Sequence, residues 1–221
     1  MDAALRAWIE GTLGRPPADP ALFERALTHA SQSGDHYERL EFLGDRVLGL
    51  AMADWLFETF PNEPEGELSR RLNALVARDV CAEIAREIGV AAWMRLGKQA
   101  RDDGALDSDN VLGDVVEALI GALWLDAGMD AAAGFVRRAW AERVSTRDKA
   151  PKHPKSALQE WAAAHERKAP VYSLTDRSGP SHAPKFVVEV EIKGVGAASA
   201  EGLSKQEAET EAAMKLLQQL T

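Results

Sequence analysis

A single cysteine, two tyrosines and the lack of any long apolar run set the first limits on this 221-residue chain. With only Cys81, no internal disulfide can form, and nothing in the sequence calls for an oxidising compartment. Cys81 sits in an apolar helical pattern, which predicts a small buried hydrophobe rather than a reactive thiol. No stretch approaches the roughly 18 consecutive apolar residues of a membrane span, so no membrane partner is expected. Met1-Asp2-Ala3 is not followed by a basic stretch leading into a long apolar one. The expectation is therefore a cytoplasmic chain without a signal peptide. Internal repeats and low-complexity runs are also missing. No Glu-x-x-His pair occurs, which argues against a helical carboxylate-bridged di-iron protein.

What is present is ordinary for a globular protein: 46% hydrophobic and 28% charged residues, enough to bury a core without staples. The formal charge of −9 at first argues against a nucleic-acid partner. It is unevenly spread. Residues 1–149 hold 17 Lys/Arg against 26 Asp/Glu, whereas residues 150–221 hold 9 of each. All the excess acid lies in the first part, and its use there is the question the sequence poses.

The two parts also differ in period. The polar, proline-bearing segment around residues 147–154 reads as a linker. It separates a first domain over 1–146 from a second over 155–221. Before it the apolar pattern is helical. Leu5, Trp8, Ile9 and Leu13 mark a first helix, and a second is expected over about Pro20–Thr28. A long helix runs from near Tyr37 to Phe60, stopped by Pro61 and Pro64, with Leu40, Leu43, Val47, Leu48, Met52 and Trp55 on its apolar face. Another starts at Pro64. The helix carrying Val80, Ile84 and Ile88 ends at Gly89. Two more are expected over about Ser108–Asp126 and Asp130–Val144. After the linker the order is helix (155–165), strands at Val171–Leu174, Phe186–Ile192 and Val195–Ala200, and a helix from Ser204 to Leu220. Ser204 is its cap, and Glu207 stands at the capping-box position. The fold class is thus an all-α N-terminal domain plus a small α+β (α-β-β-β-α) domain.

Glu38, Glu41 and Asp45 fall at i, i+3 and i+7, one face of the long helix, and Asp114 and Glu117 at i and i+3 share a face of a later one. One reading is a solvated charged face, the usual fate of acidic runs. The other is a metal site. Two facing clusters in a partly dry pocket would repel strongly unless a hard divalent cation offset them, and magnesium takes such carboxylate oxygens. A metal there can generate a nucleophile for in-line attack on a phosphodiester and stabilise the leaving oxygen. The second pair lies in an almost wholly apolar run, Val111 to Leu123, where few residues could reach solvent.

The run Glu38-Arg39-Leu40-Glu41-Phe42-Leu43-Gly44-Asp45 strongly resembles the signature of bacterial ribonuclease III. Ala26 to Ser31, Glu65 to Ser69 and Asp114 to Gly121 resemble further blocks of that family, in the family's order. The resemblance implies an N-terminal endonuclease domain that cuts double-stranded RNA with magnesium (manganese substituting), and no organic cofactor. It implies that Glu41, Asp114 and Glu117 hold the metal and that Asp45 and Glu117 are the catalytic acids. Glu38 and Glu65 would be supporting acids. Glu38 could equally pair with an arginine, and Glu65 could simply complement a helix dipole. His29 is expected to be a buried hydrogen-bonding residue. Phe42 resembles the aromatic that packs into the partner of a family homodimer, although a core phenylalanine would look the same. Two sites cutting opposite strands would leave 5′-phosphate and 3′-hydroxyl ends with short 3′ overhangs, as in the processing of structured precursors such as ribosomal RNA. Two residues depart from the family: Arg46, where a small or polar residue is usual, and Gly113, which adds helix flexibility.

Residues 155–221 resemble a double-stranded-RNA-binding domain through Ser156-Ala157-Leu158-Gln159-Glu160, Gly179-Pro180-Ser181-His182, Phe186, and Gly202-Leu203-Ser204-Lys205. Such modules span two minor grooves of an A-form duplex and the phosphates between them. Ser156, Gln159, Glu160 and His182 would then face grooves, and Ser204 and Lys205, at a helix N-terminus, a phosphate. For Gln159 and Glu160 a plain exposed helix face is the alternative, and for Ser204 a plain cap. Lys205-Gln206-Glu207 replaces the usual basic cluster, so weak binding by this module alone is expected. A non-enzymatic RNA-binding protein on the same scaffold would have lost some of Glu41, Asp45, Asp114 and Glu117; all are present.

Overall fold

The computed structural model describes residues 1–32, 34–145, 154–178 and 184–220. It divides into two compact units, Met1–Pro151 and Lys152–Thr221. The expected linker falls on residues outside the described ones, except Pro154, which already opens a helix.

The first unit is helical: α1 (Ala3–Leu13), α2 (Pro20–Ala26), α3 (Glu38–Thr59), α4 (Glu65–Leu75), α5 (Arg78–Glu87), a 3-10 turn (Val90–Trp93), α6 (Lys98–Asp102), α7 (Asp109–Ala127), α8 (Met129–Ala139) and α9 (Ala141–Ser145). Its core forms around α7, in which every residue from Val115 to Leu123 except Glu117 is buried. That explains the near-continuous apolar run: α7 is surrounded rather than amphipathic.

Two expected helices differ from the sequence pattern. The second stops at Ala26, because Thr28 pairs instead with Arg95 in an isolated parallel bridge. The last is broken at Trp140, whose buried indole N–H donates to the Leu75 carbonyl at 2.8 Å. That bond anchors the break to the end of α4. At the turn into α4, buried Arg71 is held by both Glu63 oxygens at 2.7 and 2.6 Å and lies 3.7 Å from the Phe60 ring centroid.

Helices α3 and α7 cross at their glycines. A Cβ on Gly44 would collide with the Glu117 carbonyl oxygen, and one on Gly121 with the Leu40 carbonyl oxygen. No side chain separates the two backbones there, so the acids one turn away on each helix must face each other.

The second unit follows the expected order: α10 (Pro154–Ala164), β1 (Val171–Ser178), β2 (Lys185–Ile192), β3 (Gly196–Gly202) and α11 (Lys205–Leu220). The strands form one antiparallel sheet in the order β1-β2-β3. Val188, Val190 and Ile192 are buried at period two, and Leu158, Ala162, Ala212, Ala213 and Leu216 of the helices share a core cluster with Val190 and Ile192. Strand β1 extends four polar residues beyond its expected end, with a register shift between Leu174 and Asp176. Ser204 Oγ accepts from Glu207 N at 3.1 Å and Glu207 Oε2 from Leu203 N at 2.7 Å, the reciprocal capping of α11.

Candidate active site

Glu41 of α3 and Asp114 and Glu117 of α7 converge. Each offers a carboxylate oxygen, and these oxygens lie within 4.8 Å of one another. They line one pocket with Phe42, Asp45, Arg46, Val76, Arg78 and Gly113. The spacing on each helix puts its acids on one face, and the glycine crossing brings the faces together.

The electrostatics follow from that crowding. Burial, then the charges of Asp114 and Glu41, push the Glu117 carboxyl up to about 7; Arg78 and Arg46 oppose the shift. Burial also raises Glu41, helped by Asp114 and Glu38. Asp114 is raised by burial despite Arg78 and a hydrogen bond donated by the Tyr37 hydroxyl. Burial and the three acids Asp114, Glu41 and Glu38 drive Tyr37 far above the ordinary phenol value, so it remains a donor to Asp114. The Cys81 thiol is buried and pushed up to about 12, chiefly by burial and then by Glu117, and is an inert packing group.

A set of half-buried carboxylates short of positive charge fits a hard cation. Oxygen-only donors suit a hard divalent ion, and each negative charge that disfavours its neighbour here would favour such an ion.

The other sequence candidates are placed differently. Asp45 lines the same pocket but lies outside the mutually close trio, its carboxylate ion-paired with Arg46. Glu38 is exposed, and its carboxylate is 3.7 Å from His36 Nδ1, a histidine rather than the arginine considered. Glu65 accepts from Ser69 Oγ at 2.7 Å in the first turn of α4 and does not line the pocket. His29 is half-buried; its Nδ1 accepts from Ser31 N at 3.0 Å, and its ring meets Tyr37 edge-on. Gly113 has a packing role: a Cβ there would stand 3.3 Å from both Arg78 Cγ and the Arg78 carbonyl oxygen. Sequence reasoning missed Tyr37 and Arg78. Tyr37 could have been found as the aromatic directly before the signature; Arg78 opens α5 outside that helix's apolar period, and no spacing marks it.

Phe42, Leu50 and Phe57 of α3 are 67%, 62% and 72% exposed. At i, i+8 and i+15 they form an apolar stripe on the side of α3 away from the core.

In the second unit, Ser156, Gln159 and Lys205 line one surface recess with Lys155, Gln206 and Glu209. Lys155 Nζ is 2.5 Å from Glu209 Oε2 and Lys205 Nζ is 3.8 Å from Glu209 Oε1. Glu160 is exposed nearby on α10. His182 and its loop lie outside the described residues. No helix of the described residues is long and apolar enough to cross a membrane.

Comparison with known proteins agrees over both units. Residues 19–144 match the family described as Ribonuclease-III-like, and residues 154–220 match the double-stranded RNA binding motif. The chain is 61% identical to Ribonuclease 3 of Zymomonas mobilis, over 97% of this chain and 87% of that one. It is 46% identical to Ribonuclease 3 of Rhizobium meliloti, over 96% and 91%. Among solved structures it resembles the nuclease domain of ribonuclease III from Campylobacter jejuni, with a TM-score of 0.59 and 34% identity over 61% of this chain and 95% of that one. With the acids on one pocket and an RNA-binding fold behind them in the sequence, the chain belongs to the ribonuclease III family, the endonucleases of double-stranded RNA.

Proposed function

We propose that this endonuclease works with magnesium held by Glu41, Asp114 and Glu117, and that manganese can replace it. The single observation that carries this reading is the approach of three carboxylate oxygens from two helices to within 4.8 Å. When bound, a divalent cation supplies the charge that offsets the phosphate and the leaving oxygen during in-line displacement. The chain's own residues prepare the site. Tyr37 donates to Asp114 and fixes that carboxylate's orientation. Glu117, its carboxyl pushed up to about 7 and so about half protonated at neutral pH, would give up that share of a proton when a cation binds. Asp45, at the rim and held by Arg46, is the second catalytic acid. Glu38 and Glu65 act as supporting acids outside the pocket.

Residues 1–146 form the catalytic domain in this reading, 147–154 the linker and 155–221 the RNA-binding domain. Ser156, Gln159, Glu160, His182, Ser204 and Lys205 contact the duplex. The Phe42, Leu50 and Phe57 stripe favours a homodimer, since an exposed apolar face of this kind is normally covered by a partner. A dimer with two such sites leaves 5′-phosphate and 3′-hydroxyl ends with short 3′ overhangs on structured precursors such as ribosomal RNA. Incubation of the chain with duplex RNA tests the reading. Cleavage is expected with magnesium and not with a chelator, and Glu117→Gln should abolish it. Metal-independent cleavage, or full activity in Glu117→Gln, rejects the site.

A further inference from the structure

We propose that Arg78 is the resident counter-charge of the acid pocket, a positioning residue that sets how tightly the pocket holds its divalent cation. The inference rests on the metal-site reading above. Three observations carry it. First, Arg78 lines the pocket together with Glu41, Asp114 and Glu117. Among the described residues it is the one positive charge that acts on all three of these acids. Second, its guanidinium is held beside the acids and not on them: Nη1 donates to Asn110 Oδ1 at 3.1 Å, with no carboxylate within ion-pair range among the described residues. The acid oxygens therefore remain open to a cation while feeling a permanent positive field. Third, the neighbourhood is cut to fit this side chain. Gly113 lies against the Arg78 stem, where a Cβ would stand 3.3 Å from Cγ, tighter than most such contacts.

Local helix energetics do not account for Arg78. It is the first residue of α5, where the partial positive charge of the helix N-terminus disfavours a cation. The pocket's surplus negative charge gives the arginine its reason to be there. The field has two consequences. It eases repulsion among the acids when no metal is bound, and it opposes entry of a divalent cation by like-charge repulsion. Arg46 acts in the same sense on Glu117, but it is spent on the Asp45 ion pair and is the more exposed of that pair. Gly113 and Arg78 thus form a unit: the small residue admits the arginine stem, and the arginine tempers the pocket.

The test is equilibrium binding of Mn²⁺ to the full chain without RNA, followed by calorimetry, for the unaltered protein, Arg78→Gln, Arg78→Lys and Glu117→Gln. At water-like screening a unit charge about 8 Å from a divalent ion changes its binding about five-fold, so Arg78→Gln should bind Mn²⁺ about five-fold more tightly. Arg78→Lys, which keeps the charge, should stay close to the unaltered protein. The magnesium concentration for half-maximal cleavage should fall in Arg78→Gln in parallel. Unchanged or weaker Mn²⁺ binding by Arg78→Gln overturns the proposal, as does equal tightening in Arg78→Gln and Arg78→Lys, which would make shape and not charge the cause. Glu117→Gln separates the two readings. If it abolishes Mn²⁺ binding while Arg78→Gln changes nothing, the metal site stands and the role of Arg78 falls. If it leaves binding intact, the metal-site reading itself falls.

Discussion

The two units handle carboxylates in opposite ways. In the helical unit three half-buried acids share a pocket, and no cation within ion-pair range answers Glu41, Asp114 or Glu117 among the described residues; burial and mutual repulsion raise all three. In the RNA-binding unit one acid, Glu209, stands between two lysines, 2.5 Å from Lys155 and 3.8 Å from Lys205. Unanswered charge held in place by backbone packing is stored readiness for a ligand of opposite sign. Charge answered internally subtracts from what a surface can offer to a ligand. The first arrangement leaves repelling acids open to a cation; the second sets an acid between two lysines.

The largest effect should come from removing an unanswered acid. Glu117→Ala is expected to lower duplex-RNA cleavage by more than about 100-fold, beyond the 10–100-fold typical of outer-shell partners of a metal; single-turnover rates at saturating magnesium measure it. Next is the packing that forces the acids together. Gly44→Ala puts a Cβ into the Glu117 carbonyl oxygen, and should cost about 3 kcal/mol, an overpacking penalty at the upper end of the usual range. Thermal unfolding should show a fall of roughly 6–12 °C for a chain of this size.

A subtler prediction concerns pH. Glu117 holds its proton up to about 7 in the folded chain against an ordinary value of 4.5. Between those values the folded chain binds more protons than the unfolded one, so the contribution of Glu117 to metal-free stability falls as pH rises through that window. Glu117→Gln removes this penalty. Its metal-free Tm should exceed that of the unaltered protein by a few degrees at pH 8, about 2–4 °C per kcal/mol, with the gap closing at pH 5. An equal gap at both pH values would mean that burial and crowding do not act on this carboxyl.

The smallest effect belongs to the second unit. Glu209→Gln removes the carboxylate beside Lys155 and Lys205, and should steepen the salt dependence of duplex binding by about one phosphate's worth, a change in log–log slope of roughly 0.7–0.9. Binding titrations between low and moderate salt would detect it. An unchanged slope would remove the contrast between the units.

Much of this was readable from residue order alone. The acids were legible because helical spacing fixes which side chains share a face, and α7 was legible as a helix that could expose little. What brings the faces together, the Gly44 and Gly121 crossing, was visible only as glycines in apolar helices. The break at Trp140 was not legible, because the apolar period runs through it and its cause is a tertiary hydrogen bond to Leu75. The same holds for the end of α2, set by the bridge from Thr28 to Arg95. Strand β1 runs on past Leu174 because pairing with β2 sustains polar, exposed residues that carry no alternating signal. Tyr37 and Arg78 escaped notice for a related reason: from the start of a helix Tyr37 reaches Asp114 and Arg78 reaches the pocket, and sequence spacing does not record where a long side chain ends.

The proposed hold of Glu41, Asp114 and Glu117 on a cation is tested most directly by the protons released when it binds. Magnesium titrated calorimetrically into the RNA-free chain at pH 7, in buffers of different ionisation enthalpy, should release a substantial fraction of a proton per chain as Glu117 ionises. That release should disappear in Glu117→Gln. Binding without proton release, or the same release from Glu117→Gln, would contradict it.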